Sequence, residues 1–123
     1  MDIKELNKPK QYIIHSEYRG TDDIVGIIHC DENNYYKVEV LVSSDRYDFP
    51  VDLLGPHRDW GEESQPEIIR WLESRVVPRN RQFLRQMLDA YNIPEWDLDT
   101  LLKLNHGRVC DDKFYVEIKH ETV

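Results

Sequence analysis

Only two cysteines occur, Cys30 and Cys110, and no Cys-x-x-Cys spacing joins them. Two lone thiols argue against a disulfide framework or a zinc site, so no metal or cofactor is expected. No apolar run approaches the ~20 residues that span a bilayer, and Met1-Asp-Ile-Lys-Glu-Leu6 lacks a signal peptide's apolar core. The expectation is a cytoplasmic protein without membrane contact. Basic residues are scarce too: 16 Lys and Arg against 24 Asp and Glu leave a net charge of −8. Phosphate-driven binding normally shows a basic footprint over a whole domain, so direct nucleic-acid binding is not expected. Internal repeats and low-complexity segments are also missing.

What is present is an ordinary globular balance, 40% hydrophobic and 33% charged over 123 residues. That bounds the chain to a single domain with a real core. Residues 1–10 are polar and Pro-ended, a loose arm. Residues 11–43 read as a strand meander. Tyr12, Ile14 and Tyr18 share one parity, Ile24 to Cys30 is apolar on both faces and therefore central, and Tyr36, Val38, Val40 and Val42 alternate with polar neighbours. Asp31-Glu-Asn-Asn34 supplies turn chemistry between the second and third strands.

Residues 44–63 form a linker loop rich in Gly, Pro, Asp and Trp, and residues 64–105 carry helices. Ser64-Gln-Pro-Glu67 is a capping-box start, with Ile68, Ile69, Trp71 and Leu72 on one face. Pro78 removes a donor and extends Val77, so one helix should stop near Arg75 and a second begin at Pro78. Phe83, Leu84, Met87, Leu88 and Tyr91 continue at helical spacing, and Asn92-Ile93-Pro94 ends that run. Asp97 caps a short third helix that stops at Asn105-His106-Gly107. Residues 106–123 close as a strand, Phe114 to Ile118, added to the sheet. The fold class is α+β: a small antiparallel meander sheet covered by a Pro-broken helix pair and a short third helix.

The charge is uneven. Residues 1–63 hold 7 Lys/Arg and 14 Asp/Glu, net −7; residues 64–90 hold 5 Arg and 3 acids, net +2; residues 91–123 hold 4 and 7, net −3. A basic helical strip on an acidic body suits a protein partner. The stretch Trp71-Leu-Glu-Ser-Arg-Val-Val-Pro-Arg-Asn-Arg81, with Pro50-Val-Asp-Leu-Leu54 before it, Leu84 to Leu88 after it, and His106 to Tyr115 beyond, resembles the leading module of clostridial HipA-like proteins. The elbow matches at Trp71, Arg75, Pro78 and Arg81; the last segment matches at Gly107 and Asp112 and, more loosely, at Phe114 and Tyr115. It departs where Arg108-Val109-Cys110 replaces Leu-Ser-Leu. In that family the module precedes a serine/threonine kinase body, the toxin of a toxin–antitoxin system. The resemblance implies the leading module without its enzyme, since no ATP loop or catalytic aspartate pair lies in these residues.

Arg75, Arg79, Arg81 and Arg85 therefore read either as a partner-binding strip or as salt bridges to nearby carboxylates. Arg79 and Arg81 would sit in the first turn of the second helix. Arg75 and Arg81 bracket the elbow, and bidentate bonds to Asp111 or Asp112 would pin it. Trp60 either tucks under its loop or stands out as a binding anchor; Trp71 and Trp96 read as core. His29-Cys30-Asp31 invites a nucleophile or metal reading, but no base or third ligand is identifiable, and Cys30 reads as core. Asp97, Asp99, Asp111 and Asp112 read as caps and turns, because the EF-hand glycine and closing glutamate are absent. The functional expectation is a non-catalytic protein-interaction module, a stand-alone partner or modulator of a HipA-like kinase. The alternative is a small acidic phage or mobile-element inhibitor, using Asp22, Asp23, Asp31 and Glu32 to fill the nucleic-acid groove of a defence protein.

Overall fold

Alternating strands that bury one face need a cover, and the helical half provides it. The computed structural model describes residues 9–42, 48–50, 53 and 65–120. In chain order they form β1 (Lys10–Ser16), β2 (Asp23–Cys30), β3 (Tyr36–Val40), α1 (Gln65–Glu73), α2 (Leu84–Ala90), α3 (Leu98–Asn105) and β4 (Phe114–His120). The four strands make one sheet in the order β3-β2-β1-β4, every pairing antiparallel. The closing strand is thus an added edge beside β1, and the two most apolar strands lie in the middle. Most of the arm, most of the linker loop, Ser64 of the capping box and Trp60 fall outside the described residues.

Strand alternation puts Tyr12, Ile14, Ile28, Val38 and Val116 on one face, all buried. Against them pack Ile68, Trp71 and Leu72 of α1, Leu88 of α2, and Leu101 and Leu102 of α3. The register skips Val25 between Ile14 and His15, a bulge whose extra residue turns into the core and is fully buried. Gly26 marks a close approach: a Cβ there would lie 2.6 Å from the Phe49 ring. The linker therefore contributes to the core, since Asp48, Phe49 and Leu53 are all buried.

Both sheet edges are partly occupied. Gln65 clamps the Tyr36 backbone, accepting from its N–H at 2.7 Å and donating to its carbonyl at 2.8 Å. On β4, Val116 N–H donates to the His106 carbonyl at 2.8 Å. Satisfying edge groups in this way blunts pairing with other chains.

Candidate protein-docking surface

The expected elbow exists, but its second arm starts later than the proline rule implies. Helix α1 ends at Glu73, and its last carbonyls are taken up by Ser74, Arg75 and Val76 N–H groups. Pro78 then opens a turn, with Arg81 N–H donating to the Pro78 carbonyl at 3.2 Å, and α2 begins only at Leu84. Phe83, just before it, has left-handed backbone (φ 63°) and offers no side-chain cap. Tertiary contacts tie this connection down: Trp96 Nε1–H donates to the Val77 carbonyl at 2.8 Å, and the Arg79 guanidinium lies over the Trp96 ring at 4.0 Å. Arg79 and Arg81 are consequently in the connecting turns, not in the first turn of a helix.

The four arginines do not form one strip. Arg75 is 2% exposed. Its Nη1 and Nη2 donate to the two Asp112 oxygens at 3.0 and 2.6 Å, its Nε to the Gly107 carbonyl at 2.6 Å, and Nη2 also to the Phe114 carbonyl at 3.0 Å. This is the bidentate pin to Asp112, and it leaves Arg75 unavailable to a partner. Burial alone would raise the Asp112 carboxyl, but the Arg75 guanidinium and the Phe114 N–H hold it below its usual value. Arg85 is also committed, donating to the carbonyls of Ile93 and Pro94, each at 2.8 Å, and to Asp89 at 3.0 Å. Arg79 stacks on Trp96 and reaches Glu73 at 3.6 Å, with its side chain 70% exposed. Arg81 is exposed and makes no ion pair among the described residues. Trp71 is core, whereas Trp96 is half-buried.

On the outer side of the same elbow the surface is apolar. Phe83 is 66% exposed, Tyr91 58% and Leu104 46%. Met87 of α2 and Tyr91 at its C-terminal cap fall one turn apart, while the left-handed Phe83 precedes the helix, its carbonyl accepting from Met87 N–H. Between α2 and α3 lies a cleft of about 170 Å³, lined by Val76, Val77, Met87, Tyr91, Leu101, Leu104 and Asn105. Asn105 is its polar member, and its amide is spent internally: Nδ2 donates to the Arg75 carbonyl at 2.9 Å and Oδ1 accepts from Gly107 N–H at 2.9 Å. Sequence reading placed Met87 and Tyr91 on a helix face but did not show that this face opens outward. The helical period gives the stripe and not its neighbour.

The other candidate groups have separate surroundings. His29 and Cys30 are adjacent in β2 and so point to opposite faces, and His29 pairs with Glu39 at 2.8 Å. Cys30 is 2% exposed and burial pushes its thiol up, which makes it a poor nucleophile. Near it Tyr12 donates to Asp99 at 2.7 Å, Lys10 pairs with the same carboxylate at 2.5 Å, and burial pushes Tyr36 up to about 12. Asp97 caps α3, its carboxylate accepting from Thr100 N–H at 3.0 Å; Asp99 instead faces Tyr12 and Lys10.

On the far face of the sheet His15 lies between Asp22 at 3.0 Å and Glu117 at 3.4 Å and stacks on Tyr115 at 4.3 Å. The Tyr115 hydroxyl donates to Asp22 at 2.7 Å, and burial together with that bond pushes it up to about 12. Asp22 is held low, chiefly by the same bond. The sequence showed only an exposed acid there, because the residues that meet it come from β1 and β4. Asp31 folds its own turn, accepting from Asn33 and Tyr35 N–H groups. Asp22 and Asp23 open β2 whereas Asp31 and Glu32 follow its end, roughly 25 Å away along an eight-residue strand. The four acids are not one surface. Among the described residues, no group of three His, Cys, Asp or Glu side chains is placed to hold a metal ion, and no helix is long and apolar enough to cross a membrane. Comparison of the chain with protein-family models, curated proteins and solved structures gave no match.

Proposed function

We propose that this chain is a non-catalytic protein-interaction module of the cytoplasm that docks onto a protein partner through the outer side of its elbow. The observation that carries the reading is the apolar cleft between α2 and α3, flanked by exposed Tyr91 and Leu104. Contiguous exposed apolar surface is costly to keep in water, and its usual role is contact with another molecule. Among the arginines, Arg79 and Arg81 remain at the surface to contribute, while Arg75 serves the fold. The elbow's resemblance to HipA-like proteins names the first partner to try, a HipA-like serine/threonine kinase in a toxin–antitoxin setting. The acidic-inhibitor reading has less support, because Asp22 and Asp31 are engaged within the fold and lie at opposite ends of β2.

The test is calorimetric titration of the chain into the kinase body of a HipA-like protein expressed without its own leading segment. Binding by the parent chain, lost in Leu104→Glu and weakened in Tyr91→Ala, is expected. Absence of binding by the parent chain rejects the kinase as partner, and equal binding by Leu104→Glu rejects the cleft as the docking site.

A further inference from the structure

Resting on the docking reading above, we infer that the occupant of the cleft is an amphipathic helix of the partner, which inserts aliphatic side chains and flanks them with carboxylates. Size comes first. At about 170 Å³ the cleft falls below the roughly 300–1,000 Å³ of small-molecule sites, and suits one or two aliphatic side chains. Chemistry agrees. A metabolite needs at least one polar group to orient it, and the Asn105 amide is taken by the Arg75 carbonyl and Gly107 N–H. Shape selects a helix. The walls are two short helices presenting Met87 and Tyr91 on one side and Leu104 on the other, over a floor that includes the buried Leu101, and the i, i+4 pair Met87 and Tyr91 forms a ridge that a third helix can pack beside.

The sign of the partner's flanks follows from the charges nearby. Arg81 is exposed and unpaired among the described residues, Arg79 has a 70% exposed side chain, and Lys103 beside Leu104 is exposed. Of the acids nearby, Glu73 faces Arg79, Asp89 faces Arg85 and Asp97 lies within electrostatic reach of Lys103, which leaves Arg81, of these cations, without a facing acid among the described residues. Carboxylates on the incoming helix therefore meet Arg81, on a chain that is otherwise acidic and repels them elsewhere.

The probe is a stapled helical peptide of about four turns, with leucines at i and i+4 and glutamates beside them. Its controls carry lysine for glutamate, or alanine for leucine. Met87 and Met1 are the two methionines, so ¹³C-methyl-methionine labelling gives one resonance inside the cleft and one reference. The glutamate peptide is expected to shift the Met87 methyl, the alanine peptide to leave it in place, and the lysine peptide to bind roughly three- to tenfold more weakly. Arg81→Glu should reverse that order. Equal affinity for the glutamate and lysine peptides, unchanged by Arg81→Glu, overturns the acidic preference while the docking surface stands. If no leucine peptide moves the Met87 methyl, the helical occupant is wrong; the docking reading falls with it only if Leu104→Glu also binds the kinase body like the parent.

Discussion

The two sides of the elbow differ in how completely their groups are used. On the inner side the Arg75 guanidinium makes four hydrogen bonds, to Asp112, Gly107 and Phe114, and is 2% exposed. On the outer side Tyr91 and Leu104 border a cleft that no described side chain fills. One stretch of sequence thus supplies a polar knot that holds α1 to the α3–β4 connection, and an apolar surface left open. The difference teaches that arginine in an amphipathic stretch is no guide to the binding face. Here the buried arginine organises the fold, and the open apolar residues carry the proposed contact.

Substitutions can break this contrast, the largest expected effect being on the inner side. Arg75→Ala leaves Asp112 partly buried without its partner and should cost about 3–5 kcal/mol, read by urea unfolding. Next is Gly107→Ala. Its φ of +63° is strained for any side chain, and the added Cβ would lie 2.8 Å from the Val116 Cβ, so a loss of about 2–4 kcal/mol is expected. Asp97→Ala removes the acceptor for Thr100 N–H at the start of α3 and should cost about 1 kcal/mol.

The pH dependence sharpens the same side. Asp112 is held below its usual value when folded, so the Arg75–Asp112 contribution is full above an unfolded carboxylate value of about 4. It is lost as pH falls through the lower folded value, because the folded state then binds its proton later than the unfolded state does. Asp112→Asn should flatten this acid limb in unfolding curves taken from neutral pH downward. A limb of unchanged slope would remove Asp112 from the account. The smallest stability effect is expected outside: Tyr91→Ala, more than half exposed, should shift stability by no more than about 0.5 kcal/mol.

Sequence pattern carried the sheet well. Strand alternation placed Tyr12, Ile14 and Val38 on a buried face, and the Asp97 cap and the His106-Gly107 stop followed from local backbone chemistry. The start of α2 was not legible, because the left-handed Phe83 and the turn after Pro78 accompany a Trp96–Val77 bond made nineteen residues along the chain. Phe49 and Leu53 were hidden inside a polar, Gly- and Pro-rich stretch whose composition outweighs two apolar residues. Bidentate geometry made Asp112 a candidate partner for Arg75, yet which arginine would be buried depends on how α1 meets the α3–β4 connection. The cleft was illegible for the same reason: a periodic stripe does not say whether a neighbour covers it.

The most direct test compares two variants by melting temperature and by calorimetric binding to the HipA-like kinase body. Leu104→Glu should melt within about 4 °C of the parent and fail to bind, whereas Asp97→Ala should melt lower and bind normally. Parent-like binding by Leu104→Glu, or binding that tracks melting temperature across both variants, would contradict the division of the elbow into a structural inner side and a docking outer side.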